Sequence, residues 1–233
     1  MRITLILFCF FLNLYHNNTL SISVEEELSS SNNSGYLDLL ISKNTAKDTA
    51  LPQLSALQLA FEGYQAMISS EIISKNAPLT IIDYSLPSTQ KRLWVIAPAS
   101  GEIIFHEYVS HGKNSGDLHA EKFSNAPSSF QSSLGFFVTA ETYQGKHGYS
   151  LRLDGIELGI NDKARERAIV VHGATYANAD FIEKTGRLGR SLGCPALPTD
   201  SSTKFIDLVK EKSCLFIFAN DPEYPAASKI LKG

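Results

Sequence analysis

Gly186-Arg187-Leu188-Gly189-Arg190-Ser191-Leu192-Gly193-Cys194-Pro195-Ala196-Leu197-Pro198 is the stretch on which the reading of this chain turns. Its three glycines let the backbone take positive φ angles and approach a ligand closely, while its two prolines fix the exit and remove two backbone donors. The segment is therefore a shaped loop and not a core strand. Around it lie short runs rich in β-branched and aromatic residues: 168–172 before it and 214–219 after it, with 79–84, 92–97, 103–109, 135–140 and 149–153 further upstream. Divided by Gly, Pro, Asn and Ser, these runs predict strands. Two helical pieces are expected, at 177–184 and 200–212, the second capped by Thr199 or Asp200 with Phe205, Leu208 and Val209 facing inward. Further upstream, Leu54, Leu57, Phe61, Tyr64, Ile68 and Ile72 recur at steps of three and four, the apolar face of a helix of roughly five turns. The expected class is mainly β with few helices, a mixed or antiparallel core preceded by an amphipathic helix, without internal repeats.

The residues before that helix read differently. Residues 1–23 contain one basic residue, Arg2, no acid and a short apolar run. A membrane span takes ~20 apolar residues, so the run fits a secretory signal, with cleavage expected after Ser23 and an uncleaved anchor as the alternative. Cys9 follows Ile6-Leu7-Phe8 and does not form a lipoprotein acylation site. Residues 24–50 carry Glu25-Glu26-Glu27, a Ser/Asn run and a thin apolar patch at Leu37, Leu39, Leu40 and Ile41, and are expected to form a mostly flexible polar linker. One domain then occupies 51–233. The formal charge is -3 overall, and five acids against two lysines put -3 in residues 24–50, leaving the domain close to neutral. Such a domain has no phosphate-neutralising face, so no nucleic-acid partner is expected.

Export leaves two cysteines in the mature chain, Cys194 and Cys214. One reading joins them in a disulfide, closing a loop worth ~3 kcal/mol. The other makes Cys194 a nucleophile: directly after Gly193, its sulfur and the N–H groups of both residues can share one space, which acyl transfer requires. Free cysteine, with a pKa of ~8.5, is mostly thiol at neutral pH and needs a base. His172, ending the strand 168–172 and followed by Gly173, is the candidate. The remaining histidines are scattered without zinc-site spacing, so no metal and no cofactor is expected. His111 is read either as lining the cleft or as an ordinary loop histidine. Asn114 and Tyr149 are candidate substrate contacts, as is Tyr143.

His172-Gly173 followed by Ser191-Leu192-Gly193-Cys194 resembles the signature of the L,D-transpeptidase catalytic domain. Together with 111–116, 123–125, 132–135, 149–153 and 189–191, the ordered set is similar to a divergent murein L,D-transpeptidase-like branch, over residues 79–219. The resemblance implies a mixed β-sandwich or barrel, and a transferase that attacks the L-centre carbonyl of a peptidoglycan stem peptide and leaves an acyl-enzyme for an amine or for water. Carried over, Cys194 is the nucleophile, His172 the base, the Gly173 carbonyl the ring's orienter, the Gly193 and Cys194 N–H groups the oxyanion hole, and Ser191 the loop brace. Two positions depart: Leu192 stands where the family has a second histidine, and Ala196 where it has an arginine. Arg190, Arg187 and Arg152 are the candidate replacements for that carboxylate clamp. The implied setting is the periplasm or cell envelope, secreted and at most peripheral to the membrane. The alternatives are an L,D-peptidase and a non-catalytic cell-wall-binding module.

Overall fold

The computed structural model describes residues 35–45 and 50–232. The expected signal segment 1–23 and most of the expected linker lie outside the described residues. Within that linker, however, residues 35–45 form a helix, α1. The thin apolar patch suffices because it docks: Leu40 is buried beside Gly101. Asn44 finishes the contact, donating to the Gly101 carbonyl (2.8 Å) and accepting from the Ile103 N–H (3.1 Å).

The amphipathic helix is present as α2, Leu54–Ser69. Its inward face is Ala56, Leu57, Ala60, Phe61, Gly63, Tyr64 and Met67. That face is rotated from the sequence expectation, since Leu54 is exposed. The rotation is set by Gly63, where a Cβ would sit 2.0 Å from the Phe136 ring. Only a glycine lets the helix approach the sheet at that point. Each large side chain it buries contributes roughly 1.5–3 kcal/mol.

The strands are β1 (Leu79–Asp83), β2 (Leu93–Ala97), β3 (Glu102–Glu107), β4 (Gly135–Gly145), β5 (Gly148–Gly155), β6 (Val170–Gly173), β7 (Ala196–Leu197) and β8 (Cys214–Phe218). They make one sheet in the order β3-β2-β1-β8-β4-β5-β6-β7. β1 pairs parallel with β8, and β6 with β7; the other pairings are antiparallel. The segment after β3 returns to the other edge, where the Ser110 N–H donates to the Ala196 carbonyl (2.8 Å). The sheet is thereby nearly closed. β1 and β8 are buried on both faces, β8 as an unbroken apolar run and β1 with the polar Thr80 and Asp83 buried among its apolar residues.

Short helices complete the chain: a 3-10 turn at Thr175–Ala177, α3 (Ala179–Thr185), α4 (Ser202–Val209) and α5 (Tyr224–Ala227). The expected cap of α4 is not formed. Its N-cap is Ser201, without a side-chain bond, and the Thr199 N–H is instead held by Asn178 Oδ1. α5 is anchored through Glu157, a carboxylate buried among apolar neighbours. It accepts from the Phe136 N–H (2.7 Å), the Tyr224 hydroxyl (3.0 Å) and the Ser228 hydroxyl. Among the described residues no helix is long and apolar enough to cross a membrane.

Candidate active site

β6 is four residues long and lies between β5 and β7, with His172 opposite Ser150 on one side and Ala196 on the other. Both neighbours are small and buried, so the imidazole is carried on a fixed stretch of backbone. His172 is 2% exposed. Its Nδ1 lies 2.9 Å from the Gly173 carbonyl. A carbonyl only accepts, so Nδ1 carries the proton and Nε2 keeps the lone pair.

The loop bearing Cys194 is braced from both sides. The Ser191 N–H donates to the His111 carbonyl (2.9 Å) and the Lys113 N–H to the Ser191 carbonyl (2.8 Å). Ser191 Oγ donates to the Cys194 carbonyl (2.6 Å) and accepts from the Gly193 N–H (3.0 Å). The Gly193 N–H, expected to face the oxyanion, is thus bonded to Ser191. Gly193 has φ 125°, and a Cβ there would meet the Gln131 carbonyl oxygen at 2.9 Å. Glycine is required on both counts.

Both cysteines are free thiols, which removes the disulfide alternative. Cys214 is fully buried. Cys194 is half-buried and donates its S–H to the Ala168 carbonyl (3.6 Å). It shares with His172 a groove of about 360 Å³ that also takes in Ser191, Arg190 and Leu192. Burial raises the Cys194 thiol pKa above its ordinary value, against the pull of the Val170 N–H, Arg167 and Lys146. Burial likewise lowers the His172 pKa, opposed by the Gly173 hydrogen bond and reinforced by His147 and Lys146. Both shifts favour the uncharged partners, so the resting pair is thiol and imidazole, and an ion pair forms only when the proton moves.

The groove takes in Tyr143, a candidate substrate contact from the sequence, and other residues to which the sequence reading assigned no role. Arg167 holds the facing loop with four bonds, to the Ser124 and Gln131 carbonyls and the Ser133 and Ser129 hydroxyls. Tyr143, Lys146 and His147 come from the β4–β5 hairpin, and Tyr176 from the turn after β6. A basic residue before a strand and a Lys-His pair in a turn look like ordinary surface in one dimension. The lining holds four basic side chains including His147 (Lys146, His147, Arg167, Arg190) beside His172, and no carboxylate.

Several candidates lie elsewhere. His111 is no cleft residue: Arg92 Nη2 donates to its Nδ1 (2.7 Å), and its Nε2 reaches the Gly116 carbonyl (3.3 Å). Burial, then the neighbouring Arg92, pushes its pKa down to about 3. Asn114 is exposed and donates to the Ser129 carbonyl. The Tyr149 hydroxyl turns to Asp207 (2.9 Å). Arg152 pairs with Glu141 (3.2 Å) and covers the Tyr143 ring. Arg187 bonds the Leu188 carbonyl. Arg190 reaches the groove but is held by Asp117 (2.6 Å). Ala196 is fully buried on β7, where an arginine side chain has no room.

Residues 49–218 match the family model described as L,D-transpeptidase catalytic domain. Among solved structures, the chain is similar to an L,D-transpeptidase from Mycobacterium smegmatis (17% identity, 61% of this chain and 58% of that one, TM-score 0.38). It is also similar to an L,D-transpeptidase from Stackebrandtia nassauensis (17%, 70% and 68%, TM-score 0.38). A third is the helical cell shape determining protein Pgp2 from Campylobacter jejuni (20%, 73% and 57%, TM-score 0.39). The chain thus spans under two thirds of the length of the first of these. No curated protein matches the sequence.

Proposed function

The chain belongs to the L,D-transpeptidase catalytic-domain family, and from that premise we propose that it is an exported cysteine acyltransferase acting on peptidoglycan stem peptides in the cell envelope. The observation that carries the reading is the shared groove, in which a half-buried free thiol and an imidazole with one nitrogen fixed by a backbone carbonyl stand together.

The chemistry starts from the neutral pair. As Cys194 Sγ attacks the L-centre carbonyl carbon, its proton passes to His172 Nε2, and the Nδ1–H to Gly173 keeps the ring aligned through the change of charge. The oxyanion is assigned to the Cys194 N–H, since Ser191 takes that of Gly193. Collapse breaks the peptide bond, and Nε2 returns the proton to the departing amine of the D-residue. The resulting thioester is opened by the amine of a second stem, whose proton goes to Nε2 before the thiolate is reprotonated. Water in place of that amine gives the hydrolase. The substrate's carboxylates are assigned to Lys146 and Arg190, two cations of a groove whose lining holds no acid.

A second reading, a wall-binding module without turnover, is favoured by one observation: the thiol's hydrogen bond is spent on the Ala168 carbonyl. Intact-mass measurement of Cys194 acylation by a carbapenem, with Cys194→Ala as control, separates the two. An adduct on the wild type alone supports the enzyme; no adduct on either supports the binder. Incubation with purified muropeptides then shows whether amine or water is the acceptor.

A further inference from the structure

β4 and β5 stay paired to their last residues, Gly145 opposite Gly148, so the hairpin tip is the two-residue turn Lys146-His147. A register shift between Thr139 and Thr142 bends the ribbon, and its tip lies on the groove. There the His147 ring stacks on the His172 ring, with centroids 4.2 Å apart and planes 21° from parallel. His147 is exposed, whereas His172 is 2% exposed. One side of the catalytic imidazole is therefore covered by an aromatic ring carried on a stiff turn.

We propose that His147 is a positioning residue that clamps the His172 ring through this stack. The inference rests on the reading of Cys194 and His172 as the reacting pair. A single hydrogen bond from Nδ1 fixes one point of the imidazole but leaves it free to rock about that bond. A flat ring at 4.2 Å removes the rocking and keeps Nε2 aimed into the groove. The stack also acts on charge. When the thiol proton reaches Nε2, His172 becomes a cation, which the aromatic face stacked on it stabilises. Facing the pair are Tyr143 and Lys146 of the hairpin, Arg167 before β6, Tyr176, and Arg190 and Cys194 of the loop. None of these is a carboxylate that would offset the positive charge.

The test is the rate at which iodoacetamide modifies Cys194, read from the Cys194 peptide across pH 5.5 to 9. Alkylation forms an S–C bond, expels iodide and passes the thiol proton through His172 to water, and needs no peptidoglycan chemistry. His147→Ala is expected to slow it about fivefold to tenfold at neutral pH, towards the rate of His172→Ala. His147→Phe restores the flat ring. It is expected to recover most of the rate. A His147→Ala profile that overlays the wild type, or a His147→Phe profile no better than His147→Ala, overturns the proposal. Absence of a carbapenem adduct on a wild type whose alkylation still responds to His147 would sink the acyltransferase reading and leave the clamp standing.

Discussion

His111 and His172 invite comparison because three features of their surroundings are alike. Both are about 2% exposed or less, both are held by a backbone carbonyl, and burial lowers the pKa of each. They differ in the second nitrogen. At His111 it accepts from Arg92, a guanidinium fully buried among the Val109 and Leu86 carbonyls and the Tyr84 ring. At His172 the second nitrogen belongs to a ring that lines a groove with a thiol. Burial and a lowered pKa therefore do not set the two histidines apart; under the proposed function, the unspent lone pair in a groove shared with a thiol does.

The sharpest way to break this contrast is to remove each ring in turn. His172→Ala is expected to slow carbapenem acylation by roughly 10²-fold or more while leaving the melting temperature little changed. Equal rates for the variant and the wild type would end the role assigned to His172. His111→Leu should do the reverse, removing from the buried Arg92 Nη2 the ring acceptor at 2.7 Å and leaving it the Val109 carbonyl, at a cost of about 2–3 kcal/mol, a fall of roughly 5–10 °C by calorimetry. If acylation fell and stability held, the two histidines would have been assigned the wrong way round.

A subtler contrast uses pH. The His111 pKa is about 3 in the folded protein, against ~6.5 in the unfolded chain. Below the higher value the unfolded state binds more protons. The stability that the neutral ring contributes is whole above about pH 6.5 and is lost as pH falls towards about 3. His111→Gln keeps an acceptor for Arg92 and a donor for Gly116 without that titration, so its melting temperature should fall less between pH 7 and 4. Parallel curves would show that another group governs the acid limb. At the small end, Tyr149→Phe loses one exposed bond to Asp207, and acylation should stay within about twofold. A larger loss would return Tyr149 to the groove.

What was legible in one dimension follows from the same physics. Seven strands announce themselves because β-branched and aromatic runs suit a buried pleat, and the Gly-Cys loop because its glycines and prolines have few other uses. β7 escapes notice at two residues, enclosed by the loop's own prolines. The outer half of β4 escapes because Glu141, Thr142 and Gln144 are polar, as a ribbon projecting beyond the core allows. Those hidden extensions are what deliver Tyr143, Lys146 and His147 to the groove. His111 is misread for the opposite reason. Its partner Arg92 is nineteen residues away, and a buried arginine that donates to backbone carbonyls and a histidine ring is not something composition suggests. α1 lacks the apolar content to stand alone and takes shape against residues 101–103 of the sheet edge and against α2, where Tyr36 stacks on Phe61.

The Glu157 anchor has a practical corollary for anyone shortening this chain. The family match ends at residue 218, and a truncation there looks natural because the last strand is complete. It would nevertheless strip two of the three donors from a carboxylate walled in behind β4. A lone acid in that place must take up a proton or let in water, and either outcome loosens the strand that leads out to the hairpin. The sensible end point for a minimal version lies beyond Ser228.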